Sequence, residues 1–135
     1  AVDAANAVSL RLLLPIGLYD ADKVDGAIHL RLGQDDEGYD RIGSGRINLH
    51  GRIGLFDDRG AFGNPTGDSA RTCVEEGTKK LLVFLFAPTY FSLESMEQQI
   101  DVAARSLEDY IGGRDGGRAF LAKGVKDRDS IESEQ

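Results

Sequence analysis

"KKLLVFLF", residues 79–86, is the stretch on which the fold turns. It is a continuous apolar run of strand length behind two lysines. Such a run predicts a central strand buried on both faces, because a half-buried strand would alternate. Downstream, Leu93, Met96, Ile100, Ala103, Ala104, Leu107 and Ile111 recur at three- and four-residue steps. That spacing predicts an amphipathic helix, with Ser92 as its N-cap and "GGRDGG" as its end. Upstream lies "GNPTGDSART", residues 63–72, a loop whose breakers Gly63, Pro65 and Gly67 bracket small polar side chains.

Working back to the start, "VDAANAVSLRLLL" predicts a short helix capped by Asp3 and stopped by Pro15 and Gly17. "YDADKVDG" reads as a turn or a single helical turn. "AIHLRL" alternates as a half-buried strand, with Ile28, Leu30 and Leu32 inward. "GQDDEGYDRIGSG" is a polar loop, and "RINLHGRIGLFDD" gives one or two short strands broken at Gly51. The sum is an α/β domain: a mixed sheet whose buried central strand, about 79–86, is packed by helices. It is expected to span 1–111, with a charged, weakly patterned tail over 112–135.

The totals limit the functional classes. The chain has 135 residues, the size of one domain, with 41% hydrophobic and 29% charged residues. No run approaches a membrane span, and no basic segment precedes an apolar one at the start, so neither a membrane partner nor a signal peptide is expected. A single cysteine, Cys73, rules out an internal disulfide and a cysteine metal cage, and suits a reducing, cytoplasmic compartment. A net charge of -7 argues against a general nucleic-acid binder, though not against a local basic patch.

Single motifs are weak. The 63–72 loop is no Walker-type phosphate loop, since Asp68 and Ser69 follow Gly67 where lysine and Ser/Thr belong. Ser69 as a nucleophile needs a base, and the two histidines, His29 and His50, read as surface residues. "DADKVDGAIHLR" mimics a calcium loop but carries Val24, Asp25 and Arg31 at disqualifying positions. Arg41, Arg46, Arg52 and Arg59 form either a phosphate-facing patch or scattered surface charge.

The order of segments says more. Asn6 with Ser9-Leu10-Arg11 is followed by Leu14-Pro15-x-Gly17-x-Tyr19-Asp20, then by Asp22-Lys23 and a glycine before a strand. Further on, Asp68-Ser69-x-Arg71-Thr72 leads through Thr78 into the apolar strand. Over roughly residues 2–111 this pattern resembles the amino-acid editing domain of phenylalanyl-tRNA synthetase beta chains, in particular its free-standing relatives and the C-terminal part of that domain. The resemblance implies a pocket that receives the amino acid at the acceptor end of a mischarged tRNA and hydrolyses its ester, in trans and without a cofactor. By position, Asn6 and Ser69 would be the catalytic residues. Ala5, Pro15, Ile16 and Gly17 would line one side of the pocket; Gly67, Asp68, Arg71, Thr72 and Phe84 would complete it. Ester hydrolysis needs a held water and a donor for the oxyanion, which asparagine, serine and backbone amides can supply.

The synthetase pattern carries a histidine where this chain has Gly17 and a glutamate where it has Phe84. The pocket is therefore expected to be apolar there, without the tyrosine selectivity of the synthetase. The alternative is a non-catalytic module that binds a free amino acid or an RNA end. The resemblance starts within the family's domain, so a missing N-terminal segment or a partner chain is expected to cover exposed sheet edges.

Overall fold

In the computed structural model, which describes residues 2–112 and 116–117, eight strands and two helices follow in the order α1 (Val2–Leu12), β1 (Ile16–Asp20), β2 (His29–Leu32), β3 (Gly38–Asp40), β4 (Arg46–Asn48), β5 (Ile53–Asp57), β6 (Gly60–Asn64), β7 (Gly67–Asp68), β8 (Leu81–Leu85) and α2 (Leu93–Ile111). A 3-10 turn, Ala21–Lys23, joins β1 to β2. The α/β class expected from sequence is the one observed, with antiparallel sheets. The tail expected after residue 111 falls on positions 113–115 and 118–135, outside the described residues.

The organising unit is an antiparallel ribbon of β1 and β8, in register Ile16↔Leu85, Gly17↔Phe84, Leu18↔Val83, Tyr19↔Leu82 and Asp20↔Leu81. Side chains alternate across a strand, so the ribbon presents two apolar faces. On one, Ile16, Val83 and Leu85 pack beside Ala4, Val8 and Leu12 of α1 and Ala103 and Leu107 of α2. On the other, Tyr19, Leu82, Phe84 and Phe86 pack with Ile28, Leu55 and Phe62 against a second sheet ordered β2-β5-β6-β7. The result is three layers: helices, ribbon, sheet. The β3–β4 hairpin adds a smaller cluster of Tyr39, Ile47, Leu49, Phe56 and Ala61.

Several local expectations change: the stretch 33–45, read as a loop, carries β3, and Leu32, read as inward, is 42% exposed. The run at 79–86 is a strand over 81–85, but all five of its residues are half-buried rather than buried. Both of its faces are covered, whereas only β1 pairs with it among the described residues, so one edge stays open. The five-residue strand β1 was not foreseen, because Pro15 and Gly17 read as breakers. Four of its residues are buried, and the helix before it ends at Leu13, which takes a left-handed φ of 57°. A strained non-glycine there is held by the Ser9 hydroxyl, which donates to Leu14 O. The 63–72 loop contains most of a hairpin: Gly63↔Asp68 and Asn64↔Gly67 pair across Pro65–Thr66. Asn64 Oδ1 accepts from Thr66 N at 2.8 Å, and Asn64 Nδ2 donates to Ile53 O at 2.7 Å. Asparagine closing its own turn is how the chain reverses at Pro65–Thr66, two positions that are not glycine.

The long helix is as the spacing predicts. Ser92 Oγ accepts from Ser95 N at 3.0 Å, and Gly112 ends the helix at φ 71°. In the β5–β6 turn, Arg71 holds Asp57 with both arms of its guanidinium, Nη1 to Oδ2 and Nη2 to Oδ1, each at 2.9 Å. Asp57 also accepts from the backbone N–H of Asp25 and Arg59. Its side chain is 0% exposed. Burial pushes the Asp57 carboxyl up, but these four donors outweigh it and hold the group below its ordinary range.

A buried carboxylate that loses its partner, or a partner left without it, is costly. Asp57→Ala is expected to lower unfolding free energy by about 3 kcal/mol near neutral pH, read by denaturant titration. Because the folded Asp57 is depressed, its contribution is present above the unfolded carboxylate value and lost as pH falls through the folded one. The gap between Asp57→Ala and the unaltered protein should therefore close in acid; a gap constant with pH would contradict this account.

Candidate functional site

Strand β1 and the 67–72 segment meet side by side. Leu18 N lies 3.4 Å from Asp68 Oδ2, and Asp20 N donates to Thr72 O at 2.9 Å. Ser69 N donates to Phe62 O of β6 at 3.1 Å. Gly17, Gly67, Asp68, Ser69 and Thr72 are thus brought to one region by backbone pairing.

Within it, Ser69 and Thr72 are both fully buried. Their hydroxyls hydrogen-bond to each other, and Thr72 N donates to Ser69 Oγ at 3.2 Å. Serine here builds a turn; its hydroxyl faces neither solvent nor a base. Asp68 is half-buried and is the ionisable group of the cluster. Burial pushes its carboxyl up, and the Tyr19 hydroxyl and the Leu18 N–H offset only part of that. Tyr39 Oη donates to Gly67 O, which fixes the hairpin end from the β3 side.

Gly17 and Phe84, the two departures from the synthetase pattern, are direct cross-strand partners. The space above Gly17 is filled by the side chain two residues on. A Cβ at Gly17 would stand 2.5 Å from Tyr19 Oη and 2.7 Å from Tyr19 Cε2. Tyr19 is completely buried, edge-on to Phe62 at 5.1 Å and to Phe84 at 6.0 Å, and Phe84 stacks on Phe86 at 6.3 Å. Its hydroxyl makes no hydrogen bond of normal geometry among the described residues, though it lies close enough to Asp68 to favour that carboxylate. Desolvation, reinforced by the neighbouring Asp68 charge, holds the phenol neutral. Tyrosine thus occupies the volume that a larger residue at position 17 would need.

The remaining candidates are dispersed. Asn6 is exposed on α1, whereas Ala5 is 5% exposed and turned inward. Pro15 is exposed and Ile16 half-buried toward the helices. Pro15 and Phe84 border an apolar groove along the free edge of β8. Arg71 is committed to Asp57, so its guanidinium is a structural clamp. Arg46 and Arg59 share a shallow pocket with Asp36, Glu37 and Asp40, a mixed rather than a basic lining.

Residues missed as structural determinants lie inside the recognised motifs. Asp20 Oδ1 accepts from Asp22 N at 3.0 Å, and Asp20 Oδ2 accepts from Thr78 Oγ1 at 3.0 Å. Lys23 Nζ donates to Cys73 O at 2.8 Å and pairs with Glu75 at 3.2 Å. The Tyr-Asp-x-Asp-Lys stretch therefore ties β1 to the segment leading into β8. Its recurrence with Thr78 in the motif was the available signal.

These layers define a tRNA-synthetase-like α/β module. A model of the B3/4 domain matches residues 1–107, and the chain belongs to that family, an editing-type domain of the phenylalanyl-tRNA synthetase beta subunit. Its fold is similar to the crystal structure of an N-terminal fragment of the phenylalanyl-tRNA synthetase beta subunit from Pyrococcus horikoshii, with a TM-score of 0.69 and 17% identity. The match covers 89% of this chain and 42% of that one, so the chain spans less than half of the fragment's length. No curated protein matches the chain. Among the described residues no helix is long and apolar enough to cross a membrane.

Two outcomes are expected from this geometry. Gly17→Ala forces the Tyr19 ring out of a packed core and should cost about 1–3 kcal/mol in unfolding free energy. An unchanged midpoint would show that the ring is free to move. Asp68 has a raised folded value, so its charged form weighs against folding as pH rises through that value. Asp68→Asn should therefore stabilise the protein at pH 7 and lose that advantage in acid, as followed by thermal melts across pH.

Proposed function

We propose that this chain acts on the aminoacyl end of tRNA, as a free-standing module that hydrolyses the ester of a mischarged aminoacyl-tRNA in trans. Membership of the B3/4 family supports the substrate class. The observation that carries the chemistry is the half-buried Asp68 carboxyl set against the backbone of β1.

In this reading Asp68 accepts a proton from a water molecule, whose oxygen attacks the ester carbonyl carbon. The bond to the ribose oxygen then breaks, and that oxygen leaves with the proton. A carboxyl raised by burial is a stronger base for this exchange than an ordinary aspartate. Asn6 lies apart from this cluster on the exposed side of α1, so in this reading backbone amides beside Asp68 supply the donors to the substrate's carbonyl oxygen. Ser69 and Thr72 hold the hairpin that carries Asp68 rather than reacting themselves. The amino-acid side chain selected is apolar, because Phe84 stands where the synthetase pattern has a carboxylate.

A second reading, binding of the aminoacyl end without hydrolysis, is favoured by one feature: Tyr19 fills the space over Gly17, where the synthetase pattern places a histidine. Incubation with a panel of mischarged tRNAs separates the two. Release of an apolar amino acid above the buffer rate is expected, with Asp68→Asn slower by about a hundredfold. Binding of a non-hydrolysable aminoacyl-adenosine without turnover of any ester would select the second reading. Neither turnover nor binding would end both.

A further inference from the structure

Tyrosine at position 19 buries a polar group that phenylalanine would not. The side chain is 0% exposed, and its ring packs edge-on against Phe62 and Phe84. Both contacts need only the ring. Taking a hydroxyl out of water costs free energy unless something receives it. The hydroxyl therefore calls for a reason of its own, and its surroundings supply one.

Two strands make room for it. A Cβ at Gly17 of β1 would stand 2.5 Å from Tyr19 Oη, and a Cβ at Gly63 of β6 would overlap the same atom. Gly63 is the direct partner of Asp68 in the β6–β7 pairing. Side chains of directly opposed residues lie on one face of an antiparallel pair. The Tyr19 hydroxyl thus fills the place where residue 63 would set its own side chain against Asp68. From the neighbouring residue of β1, the Leu18 N–H points at Asp68 Oδ2 at 3.4 Å. A phenol and an amide from adjacent residues of one strand converge on one carboxyl group.

We propose that Tyr19 is a positioning residue for Asp68: its hydroxyl, threaded through the Gly17–Gly63 slot, donates to the carboxylate and holds it aligned for the attacking water. This role rests on the hydrolytic reading of the site. The phenol suits it, because burial beside a negative charge keeps the proton on its own oxygen. Other groups around Asp68 leave the task open. Tyr39 of β3 gives its hydroxyl to Gly67 O, and it is Tyr39 on which the Arg41 and Arg52 charges act. Strand β6 brings Gly63 and Asn64 to the pairing, neither of which titrates. The Tyr19 hydroxyl and the Leu18 N–H offset part of the burial that raises Asp68, so removing one of them lets burial raise it further.

Carbon-13 NMR of labelled aspartate, assigned through Asp68→Asn, gives the titration midpoint of Asp68 in the unaltered chain and in Tyr19→Phe. Loss of the hydroxyl should move that midpoint up by about one pH unit. The acid limb of kcat/KM for hydrolysis of a mischarged aminoacyl-tRNA should move up with it, since a base works only when deprotonated and kcat/KM reports the free protein. A hydroxyl that served packing alone would move neither. If Tyr19→Phe fails to fold by circular dichroism, Gly63→Ala displaces the hydroxyl from the β6 side and is read in the same two ways. An unmoved midpoint overturns the inference whether or not the ester is cleaved. So does a midpoint that moves while the acid limb of an active protein stays in place. A midpoint that moves in a protein that cleaves no ester ends the hydrolytic reading instead, and the positioning role with it.

Discussion

The pairing of β1 with β8 is the constraint on which the rest of the structure depends. Five residue pairs, from Ile16↔Leu85 to Asp20↔Leu81, join segments about sixty residues apart, and their pleat divides the apolar side chains into two cores. One face calls for the two helices and the other for the four-stranded sheet. A slip of one residue would turn Tyr19 toward the helices and Leu18 toward the sheet, exchanging both cores at once. The register also makes Gly17 and Phe84 partners, so that a residue without a side chain stands opposite a phenyl ring, with Tyr19 folded over the gap. The apolar character of this region is therefore a property of the pair, not of either residue alone.

Around the ribbon, polar residues act as fasteners. Asp20 and Thr78 link the end of β1 to the approach to β8, Lys23 reaches Cys73 O, and Arg71 clamps Asp57. These are the groups that sequence motifs single out most readily, because short polar side chains at fixed spacings are rare by chance. A motif reports that a geometry is required, whether the requirement is chemical or architectural. Arg71 shows the difference: in the sequence it could equally face a phosphate or a carboxylate, and its bidentate bond to a fully buried aspartate settles the matter. Asp68 is left as the group whose burial is not matched by a cation, which is why it carries the proposed chemistry.

Much of the fold was legible. The helix α2 followed from its apolar spacing and caps, β5 and β8 from their runs, and the family resemblance from the order of segments. The misreadings share a cause. Strand β1 is short and carries Gly17 beside Pro15, while β6 and β7 sit in a segment rich in glycine and small polar residues. Their local propensity is for turns, and pairing with distant strands overrides it. The half-burial of β8 has the same origin, since an apolar run specifies that both faces are covered but not how many edges are paired. For the site, the sequence named Gly17, Asp68, Ser69 and Thr72 and the structure gathers them, yet it buries Ser69 and Thr72 and leaves Asn6 on an exposed helix face.

By itself, then, the sequence determined the class of domain, the strong helix, the apolar strand and the family, because each rests on local pattern or on the order of motifs along the chain. Only the tertiary structure decided which groups are reachable, which are spent on holding the fold, and that one edge of β8 is open. Those properties depend on contacts between residues far apart in the chain. Tyr19 roofing Gly17, Arg71 gripping Asp57, and Ser69 turned inward to Thr72 are invisible until β1, β6 and β8 have found one another.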